Sequence, residues 1–369
     1  MDFQLTQEQE ALQDSVKRFC QREYSFDDRR AIIDSPIEQL SAHWQTFAEL
    51  GWLGAGLSEE AGGFGGGPVE NALILEQFGK ALVVEPFTPH LVALQLLSTL
   101  APTEQASLIE AMIDGSRRVV MAHFEHVSRG NCATIETVAD FRDDQFYLSG
   151  HKTLVQGAAH ADTFLVSARD GDGISLFLID ANTANIEREV YHSLDNHLVA
   201  DLRFDNVAVD PRNLVGARGE ALQAIELAVD YGIVYLCAEA LGAMEAALLM
   251  TRDYLKTRQQ FGTTLNNFQA LQHRMADMLI ETELSRSMLY QGLAALESTD
   301  AQTRKAGVSA TKVQFSQSGI FVGAQSIQLH GGIGVTDECA VGHYYKRLFV
   351  IAQLYGNDDY HRDRFVGLI

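Results

Sequence analysis

The 369-residue chain is 46% hydrophobic and 21% charged, the composition of a globular protein long enough for two or three packed units, which excludes disordered and fibrous classes. Its 28 Lys+Arg against 49 Asp+Glu leave a formal charge of -21, which repels phosphate backbones and anionic lipid, so neither nucleic acid nor a membrane surface is an expected partner. Cys20, Cys132, Cys237 and Cys339 are scattered without a C-x-x-C pair, which argues against a disulfide framework or a zinc site and for a reducing cytoplasm. The N-terminus is acidic and amphipathic, not basic then greasy, so no export signal is expected, and no run of eighteen apolar residues occurs.

In chain order, Leu5-Thr6 opens a helix with Leu12, Val16 and Phe19 in 3.6-residue register. Helical signals continue to residue 116, interrupted by Leu50-Gly51-Trp52-Leu53-Gly54 and by the glycine-dense loop 62–67 before Pro68. Between 117 and 219 the pattern shortens to strands at Arg118–Ala122, Gln145–Gly150, Thr163–Ala168, Ile174–Ile179 and Asp201–Asp205, which predicts a small β-barrel or sandwich. From 220 to 369 long helices return over Ala221–Arg258, Phe268–Leu296 and Arg304–Leu329, as in a bundle. Within the second, Leu271, Met275, Met278, Thr282, Leu289 and Leu293 form an apolar stripe that reads as bundle core.

Common chemical motifs are missing. The glycines at 62–67 follow no strand and do not make a nucleotide fingerprint, and G-x-x-x-x-G-K-[ST], H-E-x-x-H and G-x-S-x-G do not occur. His123 and His126 flank Glu125 at the end of a strand, a spacing that suits a metal only on a helix, so no metal is expected. Two stretches do carry chemistry. Arg258-Gln259-Gln260-Phe261-Gly262 offers a guanidinium fork for a pyrophosphate, an aromatic face and a turn-forming glycine, with Gln269 shortly after. Gln328-Leu329-His330-Gly331-Gly332 ends a helix in glycines that let a ligand touch main chain, although each stretch alone also reads as a surface charge or a helix cap.

Together with Phe3-Gln4-Leu5-Thr6, Glu49-Leu50-Gly51-Trp52 and Phe204-Asp205-Asn206-Val207-Ala208-Val209, these stretches closely resemble the acyl-CoA dehydrogenase family of flavoproteins over essentially the whole chain. The resemblance implies an α+β fold with an N-terminal helical domain (1–116), a central β-barrel (117–219) and a C-terminal four-helix bundle (220–369). It also implies FAD as cofactor, with Arg258 and Phe261 reaching its pyrophosphate across a dimer interface, Gln269 beside the adenine end, and Gln328, Gly331 and Gly332 lining the same cofactor. The implied reaction is 2,3-dehydrogenation of an acyl-CoA, with an electron-transfer flavoprotein as acceptor.

The departures from the family are at the base. A gapless count through Gln353-Leu354-Tyr355 puts Gly356 where the resemblance expects the catalytic Glu, and the helix position used by other members is Gly232. Acids near these gaps are Asp358 and Asp359 in the loop and Glu239 two helical turns beyond Gly232; Asp358 reads as a helix N-cap and Glu239 as a buried structural carboxylate, and each of these two is also a candidate for a relocated base. Phe124-Glu125-His126-Val127 and Leu154-Val155-Gln156 stand where the family places hydroxyls against the flavin. The chain is thus similar to small subunits of two-gene acyl-CoA dehydrogenases, such as those of pimeloyl-CoA or steroid side-chain degradation. The resemblance implies a heterotetramer in which a large subunit supplies the base. The alternatives are a self-sufficient homo-oligomer using Asp358 or Glu239, and a non-catalytic interaction protein of the same fold.

Overall fold

A computed structural model describes residues 4–35 and 43–369; Phe3 of the Phe3-Gln4-Leu5-Thr6 motif lies outside them. The chain forms two compact units: residues up to Ala31 with Pro68–Val83 and Ile233–Ile369, and Ile32–Gly67 with Val84–Gly232. Among the described residues, six α-helices precede the sheet: α1 (Gln7–Glu23), α2 (Phe26–Ile33), α3 (Trp44–Glu49), α4 (Pro68–Ala81), α5 (Phe87–Leu100) and α6 (Ala106–Ile113). Thr6 caps α1, its hydroxyl accepting from Gln9 N while the Gln9 side chain accepts from Thr6 N, a reciprocal pair that fixes the helix start. The Gly62–Gly67 loop ends where Pro68 occupies the first turn of α4, a position that needs no amide hydrogen.

The strand-rich segment holds β1 (Val119–Ala122), β2 (Val138–Arg142), β3 (Gln145–Gln156), β4 (Thr163–Asp170), β5 (Gly173–Asp180), β6 (Ile186–His192), β7 (Leu198–Val209) and β8 (Leu214–Val215). They pair as one mixed sheet in the order β6-β7-β3-β2-β4-β5-β8, with β1 parallel on β4. Pairing between β2 and β4 is a single residue pair, Val138 with Arg169, so the sheet has two halves meeting at a narrow seam. Both halves face one core, in which Phe146, Leu148, Leu202 and Phe204 from β3 and β7 pack with Phe164, Val166 and Phe177 from β4 and β5.

Beyond the sheet run α7 (Leu222–Thr257), the two-residue strands β9 (Gln259–Gln260) and β10 (Thr263–Thr264), then α8 (Gln269–Leu296), α9 (Ala301–His330), α10 (Ala340–Gln353) and α11 (Asp358–Val366). The predicted long helices therefore match α7, α8 and α9 to within a few residues. On α8, Met278, Thr282, Leu289 and Leu293 are buried as the stripe predicts, and Leu271 and Met275 are half-buried. Helix α7 is long and apolar enough to cross a membrane, but 78% of its most apolar window is buried inside the protein, which makes it a core helix.

In the first unit α7 crosses α4 in backbone contact. A methyl group on Gly242 would fall inside the van der Waals surface of Glu76 O, and one on Gly79 inside that of Glu239 O. Around this crossing, Lys80 Nζ pairs with Glu76 (2.9 Å) and Glu245 (2.8 Å), and Arg286 from α8 pairs with Glu245. These ions tie three helices where no side chain fits between two of them.

Candidate functional site

The end of α7 builds the first element of the site. The helix stops at Thr257, and Gln260 pairs with Thr263 across a two-residue loop, Phe261-Gly262, whose φ angles are 56° and 79°. Two successive positive φ values make a type I′ hairpin turn, which glycine accepts freely and an aromatic residue accepts only at a cost. Sequence reading treated this stretch as a helix break and missed the hairpin; the Phe-Gly pair between short polar runs is its only signal. Phe261 stands at the tip, 88% exposed. At the hairpin base Arg258 O accepts from Leu265 N (2.9 Å), while the exposed Arg258 guanidinium has no hydrogen bond or ion pair among the described residues. Gln269 begins α8 and is exposed.

The end of α9 builds the second. His330 donates from Nδ1 to Ser326 O (2.8 Å), and its ring stacks on Tyr254 of α7 at 4.4 Å between centroids, while Tyr254 Oη donates to His330 O (3.3 Å). Burial lowers the His330 pKa, so the ring is neutral at pH 7. This clamp fixes the exit of the helix, where Gly331 turns at φ 66° and Gly331 and Gly332 stand open: a Cβ on either would meet no atom within 4 Å. Gln328, one turn earlier, is exposed. An unpartnered guanidinium, an uncovered aromatic ring and bare main chain are donors and surfaces suited to an anionic, planar ligand.

The two candidate carboxylates are engaged elsewhere. Glu239 is buried and forms a bidentate pair with buried Arg347, at 2.6 Å to Nε and 2.7 Å to Nη2, as expected of a structural carboxylate. Asp358 pairs with Arg362 one turn on (2.9 Å) and accepts from Gln317 (3.1 Å). It is not the N-cap of α11: Asn357 is, accepting from Tyr360 N, because the residue whose side chain reaches back to the third amide lies one position earlier. Gly356 adopts φ 103° in the turn before that cap, and Gly232 is buried within α7.

In the second unit Glu125 is taken by an ion pair that sequence reading did not foresee. Lys152 Nζ, fully buried, donates to Glu125 (2.7 Å), His123 O (3.0 Å) and Ser167 Oγ (3.2 Å), and Glu125 also accepts from Thr137 N and Oγ1. Burial pulls the Lys152 pKa down to about 8, partly offset by Glu125; burial and the Lys152 charge pull His123 down to about 3. His123 Nδ1 lies 2.7 Å from Ser167 Oγ, completing a Lys–Ser–His chain. Among the described residues no His, Cys, Asp and Glu group could hold a metal ion. The partner of Glu125 lies 27 residues away on β3, a distance at which local spacing carries no information.

Three family models together match most of the chain: acyl-CoA dehydrogenase N-terminal domain over 6–115, middle domain over 121–207 and C-terminal domain over 222–366. The chain belongs to the acyl-CoA dehydrogenase family. Among solved structures it is similar to a variant of the Tcur3481-Tcur3483 steroid ACAD, 30% identical with TM-score 0.89, covering 98% of this chain and 97% of that one. It shares the fold of the ChsE4-ChsE5 complex from Mycobacterium tuberculosis, at 22% identity and TM-score 0.89, covering 100% of this chain and 98% of that one. The probable acyl-CoA dehydrogenase YngJ of Bacillus subtilis (strain 168) is 27% identical over 92% of each chain. An acyl-CoA dehydrogenase is an oxidoreductase that uses FAD, and the open main chain at Gly331-Gly332 with the unpaired Arg258 fits that cofactor.

Proposed function

We propose that this acyl-CoA dehydrogenase acts as the FAD-site-completing subunit of a heteromeric enzyme whose partner subunit supplies the proton acceptor. The observation that carries the reading is that neither candidate carboxylate is available: glycine stands at 356 and 232, Asp358 is held by Arg362, and Glu239 by Arg347. Arg258 would hold the FAD pyrophosphate, with Phe261 at the hairpin tip beside it. Gln269 would serve the adenine end, and Gln328, Gly331 and Gly332 would present side chain and main chain to the same cofactor. When bound, FAD would supply the hydride acceptor that 2,3-dehydrogenation of an acyl-CoA requires. This chain's residues bind and orient it, and the α-proton goes to a carboxylate of the large subunit. An electron-transfer flavoprotein would accept the two electrons, and the assembly works in the cytoplasm.

The test is to express the chain alone and with a neighbouring large-subunit gene, count flavin per chain, and follow flavin bleaching by acyl-CoA. The reading expects flavin and bleaching only in the complex. A lone chain that holds stoichiometric flavin and bleaches it is a self-sufficient homo-oligomer. A complex that stays colourless makes the chain a non-catalytic partner.

A further inference from the structure

The turn at Tyr355-Gly356 is held from beneath by buried groups that the proposed FAD site does not use. Tyr355 adopts φ 57° and Gly356 φ 103°, two successive residues in the left-handed half of backbone space. The fully buried His361, one turn into α11, has Nε2 3.0 Å from Tyr355 O and Nδ1 3.2 Å from Ser309 Oγ on α9. A carbonyl only accepts, so Nε2 carries the proton and Nδ1 accepts from the Ser309 hydroxyl. Buried Lys312, on the same helix as Ser309, donates to Ile351 O near the end of α10. The chain leading into the turn is therefore tied to α9 at two main-chain oxygens, Ile351 O directly through Lys312 and Tyr355 O by way of His361 and Ser309.

Position 356 itself is filled. A Cβ there would lie 2.5 Å from Tyr360 Cδ1, 3.1 Å from Tyr360 Cε1 and 3.1 Å from His361 Nε2. Side chains do not share that space, and at φ 103° an L-residue is strained even without neighbours. This contrasts with Gly331 and Gly332, where a Cβ would meet nothing.

We infer that Tyr360 and His361 seal position 356 against any side chain, so this turn cannot be given its own proton acceptor by replacing Gly356 alone. The inference rests on the proposed division of labour for its functional meaning. The geometry of the seal stands without it. Tyr360 and His361 are positioning residues, since they act through the turn and not on a substrate.

A stability cycle tests the seal without flavin, partner or substrate. Gly356→Ala, Tyr360→Ala and the double variant are compared by thermal midpoint, with Gly356→Glu made in both backgrounds. The expected result is a fall of several degrees for Gly356→Ala and a larger one for Gly356→Glu, each markedly reduced when Tyr360 is Ala. If Gly356→Ala does not fold, recovery of folded protein in the Tyr360→Ala background carries the same information. A fall that is equal with and without Tyr360, or no fall at all, overturns the seal. So does a Gly356→Glu chain with an unchanged midpoint that bleaches flavin with acyl-CoA. Should the cycle behave as stated while co-expression with a large subunit yields no flavin, the seal stands and the proposed subunit role falls.

Discussion

Two glycine-lined regions of the bundle unit use the same residue for opposite ends. At the α4–α7 crossing Gly79 and Gly242 are glycine because backbone from the facing helix already occupies the place of a side chain. At the end of α9, Gly331 and Gly332 border open space, and nothing among the described residues asks for their bareness beyond the φ of Gly331. A glycine with a crowded Cβ position is explained by the fold. One with an open Cβ position is left for something outside the fold to explain, in the proposed reading a cofactor that approaches main chain.

That contrast predicts a graded series. Gly242→Ala forces two backbones apart and should cost more than the roughly 1–3 kcal/mol of ordinary overpacking, leaving little folded protein by circular dichroism. Were the variant to retain a wild-type midpoint, the close crossing would be wrong. Arg347→Ala strands a buried Glu239 and should cost about 3–5 kcal/mol in urea unfolding, whereas replacing both partners with apolar residues should cost far less. On the open side, Arg258→Ala should leave the unfolding midpoint alone but weaken flavin binding in the assembled enzyme by about 1.5–3 kcal/mol, read from flavin retained on dilution. Unchanged retention removes Arg258 from the site.

Acidification probes the packed side in another way. His361 has its pKa pushed down to about 3 by burial and by the nearby Lys312 and Arg364 charges, against an unfolded value near 6.5. Between those values the unfolded chain binds the extra proton, so stability falls as pH falls. Its share of that slope approaches about 1.4 kcal/mol per pH unit well below pH 6.5. Urea midpoints at pH 7 and pH 5 should therefore converge in His361→Gln; an unaltered difference would place the proton uptake elsewhere, with buried His90 and His123 the next groups to substitute. The smallest effect is expected for Gly332→Ala, within about 0.5 kcal/mol of wild type in stability, with the change appearing in flavin retention instead.

Much of this was legible beforehand because it is periodic. The long helices declare themselves through Ala- and Leu-rich faces, and β4 and β5 through continuous apolar runs. Strands β2 and β6 escaped because their residues, Val138–Arg142 and Ile186–His192, are mostly exposed or half-buried and carry charge, so no alternation marks them. Arg258, Phe261 and Gly331-Gly332 stood out by residue type, but the hairpin that presents Phe261 depends on two dihedral angles. The Lys152–Glu125 pair, the Arg347–Glu239 fork and the seal under Gly356 join residues by tertiary packing. His123, Glu125 and His126 drew notice for their spacing, while Lys152, which determines what Glu125 does, drew none.

The hairpin tip carries one further meaning. An aromatic residue in a left-handed backbone conformation, with its ring in water, is a double disadvantage to the lone polypeptide. Asn at 261 would suit that turn better and shed the greasy surface, so Phe261→Asn should make the solitary chain more soluble and no less stable. Whatever normally covers the ring would grip the variant less well. Such a residue sets self-interest against assembly, and solubility measured against complex yield is where the conflict becomes visible.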